Sequence, residues 1–146
     1  MVAKKKPTAK HAKKGGSIVV RGKRKKSVAR ATIRKGKGRV RFNKMLLTSI
    51  ADPFVRQIIG EPLTLAPSVA SQVDVEVYAY GGGTMGQAQA ARTALARALV
   101  KYTDDPELKS TIMKRDRFIL LEDSRRVEPK KYKGPKARAR FQKSYR

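Results

Sequence analysis

The sequence predicts an α+β domain with a basic extension at each end, and three observations support this fold class. Apolar and polar residues alternate, with the period of half-buried strands, over residues 27–34, 39–42 and 72–80. Residues 84–102 instead place Ala and Leu at helical spacing after a glycine-rich turn. Lys and Arg are concentrated toward both ends of the chain, where aliphatic residues are few. The strands and the helix therefore belong to the middle of the chain.

The first strands fall between residues 17 and 42. Residues 17–21 predict a short strand, and residues 27–34 and 39–42 predict the two arms of a hairpin around a Lys-Gly-Lys-Gly turn. One face of this hairpin is apolar, and the other carries four arginines: Arg30, Arg34, Arg39 and Arg41. No acid lies near them in sequence, so we favour contacts with RNA phosphates over ordinary solvation of a strand.

Two helix signals follow the predicted hairpin. Residues 45–50 predict a short apolar helix, and Asp52-Pro53 predicts a helix start, with Asp as N-cap and Pro at the first helical position. Gly60 followed by Pro62 predicts the end of that second helix. Its apolar stripe consists of Phe54, Val55, Ile58 and Ile59. Residues 63–71 are predicted to form a loop or a short turn.

The strongest signals lie in the second half of the domain. Residues 72–80 predict a strand with Val73, Val75, Val77 and Ala79 on one face. The long helix that follows, to about Tyr102, has a predicted buried stripe of Met85, Ala88, Ala91, Leu95 and Leu99. Asp105-Pro106 starts a further short helix, and residues 118–121 form an apolar patch that we expect to fix the chain before the tail.

The net charge of the 146-residue chain is +25, and it is unevenly distributed. Residues 1–51 contain 18 cations and no acid, residues 52–113 have a net charge of −2, and residues 114–146 have a net charge of +9. Such a chain repels itself when compact, which indicates a polyanionic partner. We expect a disordered arm over 1–16, a globular α/β domain over 17–121 and a basic tail over 122–146.

A glycine motif at residues 81–86 fits the dinucleotide-binding fingerprint, since it follows a strand and opens a helix. The second half of a Rossmann unit is missing, and Gln87-Ala88 replaces the Lys and Ser/Thr of a P-loop. Cofactor binding is therefore disfavoured. Two interpretations stay open: the loop holds an RNA phosphate at the helix N-terminus, or it is only a tight turn. The glycines concerned are Gly81, Gly82, Gly83 and Gly86.

No catalytic, metal or cofactor site is predicted. The chain has no cysteine and a single histidine, His11, which excludes disulfides and thiolate catalysis and leaves no usual nucleophile–base pair. Asp74 and Glu76 share the polar face of one strand, but nothing else indicates a small-molecule substrate. No apolar run is long enough to cross a bilayer. The sequence thus predicts a non-enzymatic protein without a membrane partner, and the lack of cysteine fits a reducing compartment.

The last 24 residues contain ten cations and two acids, with Tyr132, Phe141 and Tyr145 interleaved. Such a segment buries too little apolar surface to offset the entropy of ordering it, so we expect it to be disordered alone and to order on a partner. Aromatic and guanidinium planes can stack on unpaired bases, which favours RNA over other polyanions. Two alternatives remain: a basic DNA-compacting protein, and a nucleotide-dependent enzyme that uses the glycine loop.

Several motifs occur in a specific order. They are Gly-Lys-Arg-Lys-Lys-Ser-Val-Ala-Arg-Ala (22–31), Lys-Gly-Lys-Gly (35–38), Gly-Gly-Gly-x-x-Gly-Gln-Ala (81–88), Ala-Arg-Ala-Leu (96–99), Asp-x-Arg-Arg-Val-Glu-x-Lys-Lys (123–131) and Gln-Lys-Ser-Tyr-Arg (142–146). Together they closely resemble the universal ninth-protein family of the small ribosomal subunit, over roughly residues 18–146. The ending Ser-Tyr-Arg resembles archaeal and eukaryotic members.

The resemblance implies a two-layer α/β sandwich of the ribosomal S-five domain-two-like type, with a left-handed βαβ crossover. It also implies a place in the head of the small subunit, on ribosomal RNA and beside neighbouring head proteins. The family's tail reaches the anticodon stem-loop of the peptidyl-site transfer RNA, a role that falls here to Arg146, with Tyr145 and Ser144 beside it. The cations that would line its path on ribosomal RNA are Arg125, Arg126, Lys130, Lys131, Lys136, Arg138, Arg140 and Lys143.

Overall fold

A computed structural model describes residues 16–142 and 144. The expectations for the N-terminal arm before residue 16, and for Lys143, Tyr145 and Arg146, lie outside these residues. The elements are β1 (Ile18–Arg24), β2 (Ser27–Lys35), β3 (Val40–Phe42), β4 (Met45–Leu46), α1 (Pro53–Leu65), α2 (Pro67–Ala70), β5 (Val73–Tyr80), α3 (Thr84–Thr103) and α4 (Pro106–Arg115). Short 3-10 turns at Leu47–Ser49 and Arg117–Ile119 complete them. The predicted mixed α+β class is confirmed.

The strands form one sheet in the order β1-β2-β5-β3-β4. The predicted hairpin between residues 27–34 and 39–42 is wrong, because β5 lies between β2 and β3, antiparallel to the first and parallel to the second. The alternation of apolar and polar residues in β2 and β3 identified both as strands but did not indicate which strands lie beside them in the sheet. The sheet has two hairpins instead. One is β1–β2, which closes through Lys25-Lys26, with Lys25 in the left-handed region at φ 52°, and the other is β3–β4, which closes through Asn43-Lys44.

Helix α1 begins as predicted and ends later than predicted. The Asp52 carboxylate accepts hydrogen bonds from the amides of Phe54 and Val55, which satisfies two free N–H groups at the helix start. The helix continues through Gly60 and Pro62 to Leu65. Pro62 has no N–H for the helical ladder, but its ring is fully buried, and this burial offsets the missing hydrogen bond. Residues 45–50 form β4 and a 3-10 turn rather than a helix.

The core lies between the sheet and α3, which crosses β1, β2 and β5 and packs beside α1. The inward face of β5, from Val73 to Ala79, is buried as predicted. Small residues allow close approach, since a Cβ on Gly22 of β1 would meet the carbonyl oxygen of Ala90 and, at 2.6 Å, the amide nitrogen of Ala94. The predicted stripe of α3 is confirmed except for Met85, which is exposed in the first helical turn.

A second buried cluster, made of Ala96, Ile112, Ile119 and Leu120, ties α4 and the following 3-10 turn to α3. It confirms the predicted apolar patch before the tail, although Leu121 is exposed. Residues 122–142 contain no helix or strand, and residues 132–138 form turns and bends. The tail is therefore not extended throughout its described part, because the Arg138 guanidinium reaches back to pair with Glu128. In the described residues no helix combines the length and apolar character that crossing a bilayer requires.

Candidate nucleic-acid interface

The sheet has one covered face and one open face. Side chains alternate along β2, so Ala29, Ala31 and Ile33 are buried under the helices, whereas Arg30 and Arg34 are exposed on the other side. Arg39 and Arg41 reach the same open face from β3 and the loop before it, since both pair with outward-facing acids of β5. The sheet thus gathers on one surface the four arginines that the sequence placed there.

Although no acid lies near these arginines in sequence, three of the four have acidic partners in the fold. Arg34 pairs with Glu76 at 3.1 Å, Arg41 lies 3.8 Å from the same carboxylate, and Arg39 pairs with Asp74 at 3.1 Å. Both acids belong to β5, distant in sequence, and they come between the arginines because β5 separates β2 from β3. Backbone N–H groups of Arg39 and then Lys37 donate to Asp74 and lower its pKa, so this carboxylate stays ionised.

The glycine loop is packed against the β1–β2 hairpin. Gly81 and Gly82 have φ of 74° and 62°, which favour glycine, and the Ser27 hydroxyl donates to the Gly81 carbonyl at 2.9 Å. A Cβ on Gly86 would lie 2.7 Å from the Ser27 oxygen. The contacts of these three glycines are those of a tight turn. At Gly83, however, added atoms would meet nothing within 4 Å.

A basic cleft opens beside this loop, at the N-terminus of α3. It has a volume of about 470 Å³ and is lined on its polar side by Arg24, Lys25, Lys26 and Arg126. No side chain in the described part of the chain caps α3, so the first N–H groups of this 20-residue helix face a cationic cleft. Both features favour an anion. The structure does not support dinucleotide binding at this loop, because β5 is followed by α3 and α4 with no further strand among the described residues.

The base of the tail is held by a tail latch, which we define as Arg24, Gln89, Asp123 and Arg125. The buried Asp123 carboxylate pairs with Arg24 at 3.1 Å and with both Nε and Nη2 of Arg125. Arg24 also donates to the Gln89 side chain at 2.9 Å. Hydrogen bonds from the side chain and then the backbone of Arg125 hold the pKa of Asp123 well below its usual range. The latch therefore fixes where the tail leaves the domain.

Arginines of α3 hold the segment that leads into the latch. Arg97 donates to the carbonyl oxygens of Leu120 and Arg21 and pairs with Glu122. One turn earlier, Arg92 pairs with Asp116 at 3.2 Å. These cations act within the protein, and no local pattern in the sequence indicates this role, because all of their partners are distant in sequence.

The tail cations predicted for RNA fall into two groups. Arg125 and Arg138 are engaged by Asp123 and Glu128, so their charges are partly balanced within the chain. The others in the described part are exposed and have no acidic partner there: Arg126, Lys130, Lys131, Lys136 and Arg140. The positive charge that is free to bind a partner therefore starts at Arg126, immediately after the latch.

Comparison with known proteins identifies the family of this chain. The model of the family described as ribosomal protein S9/S16 matches residues 22–146, which include the basic cleft, the whole tail and all of the sheet except the first four residues of β1. The chain belongs to this family. The small ribosomal subunit protein uS9 of the archaeon Methanothrix thermoacetophila is 47% identical over 125 residues, which cover 86% of this chain and 95% of the relative. Both findings confirm the family that the sequence motifs indicated.

Membership in the S9/S16 family makes this chain a ribosomal protein, and RNA binding is general to that class. The open sheet face, the basic cleft and the tail are therefore candidate RNA contacts. Among the described residues no group of His, Cys, Asp and Glu is arranged to hold a metal ion.

The latch provides a test that depends on pH. Asp123→Asn is expected to lower the thermal midpoint at neutral pH, because Arg24 would lose its acidic partner in a largely buried position. Since the pKa of Asp123 is lower folded than unfolded, its stabilisation is complete above the unfolded value near 3.8 and is lost as the pH falls through the folded value. The midpoints of the two proteins should therefore converge toward pH 2.

Circular dichroism melts at pH 7, 5, 3 and 2 measure this convergence. Glu128→Gln is the matched control, because its ion pair with Arg138 is exposed and contributes little to stability. A difference between wild type and D123N that is equally large at pH 2 and pH 7 would show that the carboxylate charge is not what stabilises the latch.

Proposed function

We propose that this protein is a structural component of the small ribosomal subunit head, where it binds ribosomal RNA and extends its tail to the anticodon stem-loop of the peptidyl-site transfer RNA. Membership in the S9/S16 family and the relative's name, small ribosomal subunit protein uS9, support the first part. The observation that carries the proposal is the separation of a closed, apolar core from exposed cations on the sheet face and the tail. The proposal assigns no catalytic activity and places the protein on cytoplasmic ribosomes, beside other head proteins.

Ribosomal RNA would be bound mainly through phosphate and sugar contacts, which recognise shape rather than base identity. The exposed tail cations and the arginines of the open sheet face supply these contacts, although Arg34, Arg39 and Arg41 attract phosphate less because they are paired with acids. The basic cleft adds a phosphate position, because Arg126 brings the tail next to the uncapped N-terminus of α3. The tail would thus meet RNA at the point where it leaves the domain.

The transfer RNA contact is assigned to Arg146, with Tyr145 and Ser144 beside it. From the latch at Arg125, the remaining 21 residues reach at most about 75 Å when fully extended. The turns at residues 132–138 would have to open for the full reach, and exposed pairs such as Arg138–Glu128 cost little to break. RNA phosphates would then take the place of the Glu128 carboxylate.

Removal of residues 144–146 tests the transfer RNA contact. The truncated protein is expected to fold and to join small subunits normally, because the latch and most tail cations remain. Peptidyl-site transfer RNA should bind about tenfold more weakly, which corresponds to the loss of one or two charge-assisted hydrogen bonds.

The measurement is filter binding of initiator transfer RNA to subunits reconstituted with either protein. Equal incorporation of the two proteins is the internal control. Normal incorporation with unchanged transfer RNA affinity would refute the role assigned to these residues and leave the ribosomal RNA assignment intact.

A further inference from the structure

The outward side chains of β5 change character along the strand. They run Asp74, Glu76, Tyr78 and Tyr80, while the inward residues between them are all buried. Because paired residues of neighbouring strands point to the same face, each of these four positions defines a row across the open sheet. The open face therefore has an acidic half and an aromatic half.

In the acidic half the charges of the arginines are partly balanced by the two carboxylates. Thr32 and Arg41 lie opposite Glu76, and Arg34 lies opposite Asp74. The ion pairs of Arg34, Arg39 and Arg41 all fall on these two acids. An RNA backbone laid over this half would meet two carboxylates as well as three arginines, so attraction for phosphate is reduced there.

The row of Tyr78 is different. Arg30 lies opposite Tyr78 on β2, and Arg21 lies opposite Arg30 on β1. Both guanidinium groups are exposed, and neither forms an ion pair with any described acid. Tyr78 is 57% exposed, which is high for a tyrosine in the middle of a sheet. Two unbalanced cations and one exposed ring thus stand side by side.

The ring of Tyr78 is not covered by its neighbour. The centroids of Tyr78 and Tyr80 are 6.3 Å apart and the planes are inclined by 39°, so the two rings do not stack face to face. A depression of about 390 Å³ adjoins Tyr78, and its lining includes Val19, three cations (Arg30, Arg41 and Lys44) and one acid, Glu76. It offers apolar surface and more cations than acids, which suits a flat aromatic group that carries a negative charge nearby.

We propose that Tyr78, Arg21 and Arg30 form a stacking site for one unpaired RNA base, with the base on the Tyr78 ring and its flanking phosphates on the two arginines. Exposed aromatic rings beside cations bind single strands in this way, whereas a duplex keeps its base faces stacked inside. The acids at positions 74 and 76 direct the strand away from the other half of the face. This inference rests on the proposed binding of ribosomal RNA and names a contact within it.

The site is tested with the full-length protein and a 12-nucleotide single-stranded oligouridine that carries one 2-aminopurine. Tyr78→Ala is expected to weaken binding about tenfold and to reduce the fluorescence change that stacking causes, without altering the salt dependence of the affinity. Tyr78→Phe should bind within twofold of wild type because it keeps the ring. Arg30→Gln should both weaken binding and reduce the slope of log K against log salt by about 0.7.

Two controls separate this site from general attraction. Phe54→Ala removes another exposed aromatic, on α1, and should leave binding unchanged. A 12-base-pair RNA duplex should bind wild type and Tyr78→Ala equally. If Tyr78→Ala, folded as judged by an unchanged thermal midpoint, bound the single strand as wild type does with the same fluorescence change, the site would be refuted. A different result would refute the proposed function itself, namely the absence of the wild-type protein from small subunits.

Discussion

Removing residues 126–146 is expected to lower the affinity for small-subunit ribosomal RNA at least hundredfold while the domain remains folded. The removed segment carries nine cations and one acid, and in its described part it makes no helix or strand. Each RNA phosphate that the shortened protein no longer neutralises reduces the slope of log K against log salt by roughly 0.7–0.9, so the fall in affinity should be greatest at low salt. Titration of the RNA with both proteins at 50 to 300 mM salt measures affinity and slope together.

A truncation of residues 1–15 is the matched control, because it removes six cations and no acid. We expect this truncation to reduce the affinity for RNA by a smaller factor per removed cation than the tail truncation does. The charges of the tail alternate with Tyr132, Phe141 and Tyr145, and the latch fixes where the tail leaves the domain. Equal reductions in affinity per cation from the two ends would contradict a directed tail and would leave only general attraction to a polyanion.

Gly22→Ala is expected to destabilise the protein by about 2–3 kcal/mol, with a fall of about 5–10 °C in the thermal midpoint. The new methyl group would meet the backbone of α3 at Ala90 and Ala94, so relief requires β1 and α3 to separate. This contact lies under the alanine-rich face of α3, where packing between sheet and helix is closest. Thermal and urea unfolding monitored by circular dichroism measure the change.

Gly60→Ala is a control for which we expect the stability to change in the opposite direction. Gly60 lies inside α1, where a Cβ would meet only Leu47, at 4.0 Å. Alanine in a helix is favoured over glycine, so this variant is expected to gain about 0.5–1 kcal/mol. A Gly22→Ala protein as stable as wild type would show that β1 and α3 are not packed as closely as described.

The elements with strong local signals could be predicted from the sequence. The Val-rich alternation of β5, the Ala and Leu spacing of α3 and the Asp-Pro starts of α1 and α4 are all encoded within a few residues. Pairing is not local, which is why β2 and β3 were joined in a hairpin that β5 in fact separates. The end of α1 was missed because burial of Pro62 in the tertiary core outweighs its helix-breaking tendency.

The same distinction applies to the candidate interface. Alternation in β2 and β3 correctly placed four arginines on one face, but their partners Asp74 and Glu76 come from β5 and appear only once the sheet is assembled. The latch joins Arg24 to Arg125 across 101 residues and has no local signature. Tyr78 did have a local signature, since it continues the outward alternation that begins at Asp74. That pattern alone is enough to place its side chain on the open face.

The most direct test of the account is sedimentation of the ribosomes of cells that make the tagged protein through sucrose gradients in 0.5 to 1 M salt. A structural component held by ribosomal RNA should stay with the small subunit throughout, because many phosphate contacts and a tail within the RNA must be released together. Protein lacking residues 126–146 should dissociate from the subunit as the salt is raised. Wild-type protein that remained at the top of the gradient, or moved with the large subunit, would contradict the account.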